Sequence, residues 1–208
     1  MEEAAFTGFT CIRHELFTEA IKELSPMALV TLVKMLTYQP GFIIRQNYLA
    51  TQLGITESRY MKPRMDELIE KGYLTKSGEG QFTFWQLTDK ALAFKKWKGH
   101  GYYRLLNDSI ENLKRELNDG EIALYLHILT NALTHKMTNA ELVERTGYNK
   151  KTVSRYVNSL YEKGYLHQEI VGYKKVLWSM TKLRREGFIM CGDNEVYDLY
   201  STYGDGIQ

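Results

Sequence analysis

The stretch TNAELVERTGYNKKTVSRYVNSLYEKGYL, residues 138–166, decides the fold of this 208-residue chain. Thr138 and Glu141 have the spacing of a capping box, which predicts the start of a short helix that ends near Gly147. Asn149 is suited to cap a longer helix that follows directly. The stretch therefore predicts a short helix, a tight turn and a longer helix.

The flanking segments add a helix before this stretch and a hairpin after it. Asn118 and Asp108, each followed three residues later by a glutamate, predict the starts of a long apolar helix to about residue 135 and of a shorter helix before it. Downstream, residues 165–170 and 176–180 have strand character and flank a Gly-Tyr-Lys-Lys tip, which predicts a β-hairpin.

The chain repeats this unit. The pentapeptide Glu-Lys-Gly-Tyr-Leu occurs at residues 70–74 and again at residues 162–166, an offset of 92. Upstream of it, a leucine five residues before a glycine occurs at Leu49 and again at Leu142, an offset of 93. Five identical residues within a matching frame indicate two copies of one small domain.

The first copy can be divided into the same elements. Ser25 as N-cap and Pro26 at the first helical position predict a helix that runs to about Tyr38. The other expected elements are a strand over 6–12, helices over 46–53, 56–71 and 89–98, and strands over 73–76 and 81–87. The expected fold class is mainly α with small β-hairpins (α+β). It comprises two tandem domains at 1–98 and 102–185, a linker at 99–101 and an acidic tail at 186–208.

With these elements assigned, the chain resembles the winged helix-turn-helix DNA-binding superfamily. Residues 142–155, with Leu160 and residues 164–166, carry the densest match. The run Thr-Val-Ser-Arg at 152–155 is similar to the one that bacterial regulators of this type often carry in the helix that enters the major groove. The first copy, residues 25–74, resembles the amino-terminal domains of phage and plasmid replication organisers. The resemblance implies DNA binding but leaves the biological role open, because one fold hosts many functions.

The helix of the second copy that follows Asn149 has two distinct faces. Val153, Tyr156, Val157 and Leu160 follow the i, i+3, i+4, i+7 pattern of a core face. The opposite face is polar, and Arg and Asn side chains can each bond a base edge with two hydrogen bonds. The candidate DNA contacts are Lys150, Lys151, Thr152, Ser154, Arg155 and Asn158 on this helix, with Lys174 and Lys175 at the hairpin tip. A solvated polar face is the alternative interpretation.

The first copy departs from this pattern in the equivalent helix, which is predicted over 56–71. Aligned backward from Gly72, Pro63 takes the place of Arg155, and a proline inside a helix costs about 3 kcal/mol. The helix is therefore expected either to kink or to start near Lys62. The candidate DNA contacts here are Ser58, Arg59, Tyr60 and Lys62, whereas the acidic residues Asp66, Glu67 and Glu70 disfavour contact with phosphate. A dimerisation or partner-binding role is the alternative for this copy.

Composition restricts the class of protein. Hydrophobic residues make up 44% of the chain and charged residues 25%, as in folded globular proteins. The two cysteines form no short-spaced motif, no apolar stretch is long enough to span a bilayer, and the amino terminus is acidic, so we expect a cytoplasmic protein. Residues 186–208 hold five acidic and no basic residues, which leaves 27 basic against 20 acidic residues, a net charge of +7, in residues 1–185. That asymmetry favours an anionic partner for the body of the chain.

No sequence pattern points to catalysis, a cofactor or a metal site. The five histidines lack the spacing of metal ligands, and the glycines of the first hairpin lack the context of a phosphate loop. We therefore expect no enzymatic activity, no catalytic residue and no bound metal. The aromatic residues of the hairpin regions are expected to pack in the core, with base stacking on single-stranded nucleic acid as the alternative. They are Trp85, Trp97, Trp178, Phe82 and Phe84.

Two features suggest assembly. The helices over 27–36 and 122–133 are apolar on more than one face, which fits either a homodimer or packing between the two copies. In the tail, Tyr197, Tyr200 and Tyr203 alternate with acidic residues. A segment of this kind could dock a protein partner or fold back on the basic body as a DNA mimic, and a frayed terminus is the alternative.

These observations support three hypotheses. The first is a sequence-specific double-stranded DNA-binding protein that regulates transcription. The second is an initiator or organiser of phage or plasmid DNA replication, which would belong to a mobile element. The third is a protein-interaction module that keeps the fold without binding DNA.

Overall fold

The computed structural model describes residues 8–38, 44–56, 58–78, 83–95, 102–132, 136–171, 175–180 and 188–191. Residues 8–95, called unit 1 below, begin with a strand and a π-helical turn, Leu16–Ala20. The elements of unit 1 are β1 (Phe9–Arg13), α1 (Ile21–Glu23), α2 (Pro26–Leu36), α3 (Gln46–Gln52), α4 (Met61–Glu70), β2 (Leu74–Ser77), β3 (Phe84–Leu87) and α5 (Asp89–Leu92).

Residues 102–180, called unit 2, contain elements in the same order. They are β4 (Tyr102–Leu106), α6 (Ser109–Lys114), α7 (Asp119–Ala132), α8 (Asn139–Thr146), α9 (Lys150–Glu162), β5 (Leu166–Val171) and β6 (Lys175–Met180). A last strand, β7 (Phe188–Cys191), follows. The chain is thus mainly helical with small antiparallel sheets, as the sequence predicts. The expected linker at 99–101 lies outside the described residues.

Most predicted helix starts are confirmed by the capping bonds. The Ser25 hydroxyl accepts a hydrogen bond from the Ala28 amide at 3.3 Å, with Pro26 at the first position of α2. Asn118 and Glu121 exchange backbone-to-side-chain bonds of 2.9 and 3.0 Å before α7. The capping box expected at Asp108 is wrong, because that side chain makes no capping bond.

Helix α4, the counterpart of α9 in unit 1, starts later than the predicted residue 56. Ser58–Tyr60 form a 3-10 turn, and α4 begins at Met61. Pro63 therefore lies in the first helical turn, where its missing amide would have no helical partner in any case. Of the two expected outcomes, a kink or a late start, the structure has the late start. In the helix predicted over 89–98, α5 gives way to a 3-10 turn at Ala93–Lys95, and residues 96–98 lie outside the described residues.

A three-stranded antiparallel sheet joins the two units, with strand order β1, β4, β7. Strand β4 is not among the elements predicted from the sequence, and residues 188–191, which were expected in the acidic tail, instead form β7 and pair with β4. The rest of that tail, residues 186–187 and 192–208, lies outside the described residues.

The pairing of β1 with β4 has twofold symmetry. Each residue of β1 precedes its counterpart in β4 by 93 positions, the same offset as in the sequence repeat. Phe9 pairs with Leu106 and Arg13 with Tyr102, so exchanging the two units leaves the pairing unchanged. At the centre, Cys11 pairs with its own counterpart, Arg104. The two units are therefore related here as the subunits of a dimer with an isologous interface would be.

The helices behind this sheet follow the same symmetry. Helices α2 and α7 pack against each other, and the turn at Leu16–Ala20 packs on α7 as α6 packs on α2. At equivalent positions, the Lys34 ammonium donates to the Asn107 carbonyl at 2.8 Å, and His127 Nδ1 lies 2.6 Å from the carbonyl of Phe17. Each unit thus touches the leading segment of the other.

This packing accounts for the second apolar faces of the two long helices. Leu124 and Ile128 of α7 are fully buried, as are Val30 and Val33 of α2. The faces that suggested a homodimer are thus covered by the sister unit within one chain. A buried ion pair crosses the same interface, because Arg64 Nη2 lies 2.6 Å from the Asp119 carboxylate, with the two side chains 5% and 12% exposed.

Candidate nucleic-acid interface

Helix α9 is held by one apolar face. Val153, Val157 and Leu160 are fully buried, as predicted. Tyr156 is half-buried and lies against Gly120, at a position where a Cβ atom on residue 120 would collide with the tyrosine ring. Glycine at the start of α7 therefore permits the close approach of α9.

Polar contacts also attach α9 to α7. The Ser159 hydroxyl donates to the Glu121 carboxylate at 2.6 Å, and the Lys163 ammonium reaches the same carboxylate at 2.8 Å. Burial raises the pKa of Glu121, but the hydrogen bonds from Lys163 and Ser159 outweigh that effect and hold the pKa below its usual value. The ionised carboxylate thus secures the far end of α9 without occupying its outward face.

The turn between α8 and α9 is fixed at both ends. Gly147 ends α8 in the left-handed region, at φ 73°, where a side chain would be strained. The Asn149 side chain then accepts from the Thr152 amide at 2.8 Å and starts α9. Before the turn, Thr138 and Glu141 form the predicted capping box of α8. The angle between α8 and α9 is therefore set by local chemistry.

The outward face of α9 carries the predicted contacts together. Lys150, Lys151, Arg155 and Asn158 are exposed, and Thr152 and Ser154 are half-buried beside them. The Arg155 guanidinium carbon lies 5.0 Å from the centre of the Tyr156 ring, which supports the side chain from below. No acidic residue occupies the first turn of α9, although the helix dipole favours one there. This end of the helix is left strongly positive.

The hairpin beyond α9 is only partly described. Lys174 lies outside the described residues, and Lys175 begins β6, with its side chain outside them as well. At the adjoining end of β5, Ile170 and Val171 are 69% and 44% exposed. The sequence analysis missed these two residues, although two apolar residues beside a hairpin tip were a visible signal.

In unit 1 the four predicted contacts lie at and just before the start of α4, and two of them line a concave surface. Arg59, Tyr60 and Lys62 are exposed where α4 begins, next to Ser58 in the preceding turn. The Arg59 guanidinium carbon lies 4.9 Å from the centre of the Tyr60 ring, and Lys62 pairs with Asp66 at 3.5 Å.

Arg59 and Lys62 line an open hollow of about 650 Å³, called the unit 1 hollow. Its other lining residues include Arg45, Tyr48, Lys76 and Trp85. The first three of these were not among the predicted contacts, because they lie at the start of α3 and on β2, away from the helix that the sequence pattern singled out.

The buried tryptophans play the structural role expected of them. Trp85 and Trp178 are 5% and 2% exposed. Through its backbone, Trp85 pairs with Ile44, just before α3, and Trp178 pairs with Met137, just before α8. Trp97 and Phe82 lie outside the described residues. Within the part of the chain that the structure describes, no group of three or more His, Cys, Asp or Glu side chains could hold a metal ion.

Comparisons with known proteins agree with this description of unit 2. Residues 115–166, from the end of α6 to the start of β5, match a family described as a helix-turn-helix domain. With its hairpin, unit 2 has the form of a winged helix-turn-helix, and helix-turn-helix proteins that bind DNA place the second helix of the motif in the major groove. No curated protein sequence matches the chain significantly.

Among solved structures, the chain is similar to the DIP2311 protein from Corynebacterium diphtheriae, at 12% identity and a TM-score of 0.27. The match covers 74% of this chain and 26% of that one, so the chain spans about a quarter of that protein's length. No helix in the described ranges is long and apolar enough to cross a membrane.

Proposed function

We propose that the chain binds double-stranded DNA with sequence preference through α9 and regulates transcription by occupying an operator. The observation that carries this proposal is the outward face of α9, where Lys151, Arg155 and Asn158 project from a helix that a glycine-ended turn presents to solvent. An arginine and an asparagine one turn apart have the donors and acceptors that read guanine and adenine in the major groove.

The cations of this face have complementary tasks. Lys150 and Lys151 are suited to bond phosphates and set the register of the helix on the duplex. Arg155, resting on the Tyr156 ring, is held in place before binding, which lowers the entropy lost on contact. Exposed Ile170 and Val171 place an apolar edge at the wing, where the sugar surface of a groove would cover it.

Selection of bound fragments from a random duplex pool, at low and near-physiological salt, tests the proposal. An enriched motif that persists at the higher salt supports sequence reading. Enrichment without a motif, and only at low salt, would reduce the activity to contact with phosphates. Absence of enrichment would instead favour the protein-interaction hypothesis.

Variants of α9 separate base contacts from phosphate contacts. Arg155→Ala should weaken binding of the selected site by roughly 1–3 kcal/mol and relax specificity at one base pair. Lys151→Ala should weaken all duplexes alike and reduce the slope of log K against log salt by about 1. Glu144→Ala, an exposed change on α8, is the matched control and should leave both quantities unchanged.

Replication initiation is the second candidate. The unit 1 hollow favours it, because cations and an exposed tyrosine around a concave surface suit single-stranded DNA, and an initiator must bind opened as well as duplex DNA. The position of the selected motif distinguishes the two roles, since an operator lies at a promoter and initiator sites lie at an origin.

The homodimer and the tail partner are tested separately. A homodimer would need a surface other than the buried faces of α2 and α7, and light scattering of the free chain and of its DNA complex measures the stoichiometry. Deleting residues 192–208, which leaves β7 intact, tests the tail. Higher DNA affinity after the deletion would support the DNA-mimic hypothesis, and unchanged affinity would remove it.

A further inference from the structure

The unit 1 hollow differs from the equivalent surface of unit 2 at the start of α3, the counterpart of α8. In unit 2, Thr138 and Glu141 cap α8 reciprocally. The equivalent positions, 93 residues earlier, hold Arg45 and Tyr48, and the Arg45 side chain makes no capping bond to α3. Unit 1 thus lacks a cap of the kind that contributes about 1 kcal/mol, and it presents an exposed arginine and an exposed tyrosine instead.

The charge of the hollow differs in the same direction. The four cations that line it are Arg45, Arg59, Lys62 and Lys76. In unit 2 the equivalent residues are Thr138, Lys151, Ser154 and Gln168, with one cation among them. One acid, Asp66, lines the hollow, so its lining carries a net charge of +3. Cations gathered around a concavity attract an anionic ligand.

Aromatic rings complete the hollow. Tyr48 is 48% exposed at its wall, and its ring lies 6.0 Å from that of Tyr38, which supports it from behind. Tyr60 is 52% exposed beside the hollow, under the Arg59 guanidinium. The equivalent residues of unit 2 are Glu141 and Thr152, which offer no ring. The volume of about 650 Å³ is typical of a ligand site.

From these differences we infer that the unit 1 hollow binds single-stranded DNA, with Tyr48 as a stacking platform for a base and the four cations on the phosphates. Stacking requires a free base face, which a single strand offers and an intact duplex keeps inside its own stack. Contact of α4 with a duplex groove is disfavoured because Pro63, which has no side-chain donor, stands at the position equivalent to Arg155, and because the acids Asp66 and Glu70 are exposed on the helix surface. The two units would thus take two forms of the same polymer.

Fluorescence anisotropy with the full chain and a labelled oligothymidylate of about 12 nucleotides, within the site sizes known for single-strand binders, tests the inference. Tyr48→Ala should weaken binding about 5- to 150-fold, since it removes one stacked base, whereas Tyr48→Phe should retain it. Arg45→Ala should reduce the salt slope of binding by about 0.7. Lys22→Ala, which removes an exposed cation of α1 that does not line the hollow, is the matched control and should leave this binding unchanged.

Four results would overturn the inference. They are no binding of the oligothymidylate by the wild-type chain, equal binding by Tyr48→Ala and the wild type, equal loss in Tyr48→Phe and Tyr48→Ala, and displacement of the probe by an equal length of duplex as readily as by single strand. A preference for the matching RNA over the oligothymidylate would be a fifth such result, because the ligand would then be RNA. Equal thermal unfolding of the two Tyr48 variants shows that any loss is not a loss of fold.

The outcome is separable from that of the duplex proposal. Tyr48→Ala should leave the affinity for the selected duplex unchanged, and Arg155→Ala should leave the affinity for oligothymidylate unchanged. If only the first variant has an effect, on the single strand, the duplex proposal fails and this inference stands. If only the second has an effect, on the duplex, the reverse holds.

Discussion

Units 1 and 2 bury the same positions of the equivalent helices α4 and α9, and differ in the residues next to these positions. Met61, Met65 and Leu68 of α4 are fully buried, and so are the residues 92 positions later in α9. Between them, Arg64 bonds across to Asp119 of the other unit, where the equivalent Tyr156 packs on Gly120 of its own unit. The apolar positions maintain a shared fold, and the positions next to them determine what each unit binds and how the units join.

The largest expected effect concerns the ion pair at this point of difference. Arg64→Ala leaves the Asp119 carboxylate buried with only Lys114, 3.1 Å away, to compensate its charge. The free energy of unfolding should fall by about 3 kcal/mol, the lower end of the range for breaking a buried pair. Urea unfolding measures it. Lys62→Ala, which breaks the exposed pair with Asp66, is the control and should cost less than about 0.5 kcal/mol. A loss below about 1 kcal/mol for Arg64→Ala would show that the units do not depend on this contact.

The next effect concerns the glycine under Tyr156. Gly120→Ala places a methyl group where the tyrosine ring lies, so the free energy of unfolding should fall by about 1–3 kcal/mol. Because the ring causes the loss, the same substitution in a Tyr156→Ala background should cost much less. A double-mutant cycle by urea unfolding measures the coupling, and equal costs in both backgrounds would mean that Tyr156 does not pack there.

A smaller effect depends on pH and concerns His127, the counterpart of Lys34 in unit 2. Burial lowers the pKa of His127, despite the opposing hydrogen bond to the Phe17 carbonyl. The unfolded chain therefore takes up a proton at this histidine more readily than the folded one. Stability should be lost as pH falls below the usual histidine pKa of about 6.5, at up to about 1.4 kcal/mol per pH unit. His127→Gln should flatten this dependence of the unfolding free energy between pH 7 and 5, and an unaltered profile would assign it to other groups.

The smallest effect sharpens the comparison of the two capping sites. Arg45→Thr combined with Tyr48→Glu gives unit 1 the capping box of unit 2, and should raise the free energy of unfolding by about 1 kcal/mol. The same double variant should lose binding of oligothymidylate, because it removes one cation and the stacking ring. Thr138→Ala is the reciprocal change and should lower stability by about 1 kcal/mol without affecting that binding. A double variant that gains no stability would indicate that Arg45 and Tyr48 already contribute as much as a cap.

Local chemistry explains which parts of the fold the sequence could predict. Ser25, Asn118, Thr138 and Asn149 each start a helix through a bond to an amide three residues away, so a short window of sequence contains the whole signal. The late start of α4 was foreseen as one of two outcomes because Pro63 restricts its own backbone. By contrast, β4 and β7 pair with residues at least 83 positions away, and no local pattern marks them as strands.

The candidate sites divide in the same way. The outward face of α9 occupies nine consecutive residues, 150–158, and helical periodicity alone separates it from the core. The unit 1 hollow draws Arg45 and Tyr48 from the start of α3, Arg59 from the turn before α4 and Lys76 from β2, so only the folded chain brings them together. Its chemistry became visible by comparing each residue with its counterpart in the other unit.

The symmetric pairing of β1 with β4, centred on Cys11 and Arg104, has a consequence for how this protein can evolve. In a homodimer, a substitution appears in both halves of the interface at once, and a change that helps one half must be tolerated by the other. Here each half has its own codons. Position 45 can therefore hold an arginine while position 138 holds a threonine, and a cysteine can face an arginine where a homodimer would have to pair a residue with itself.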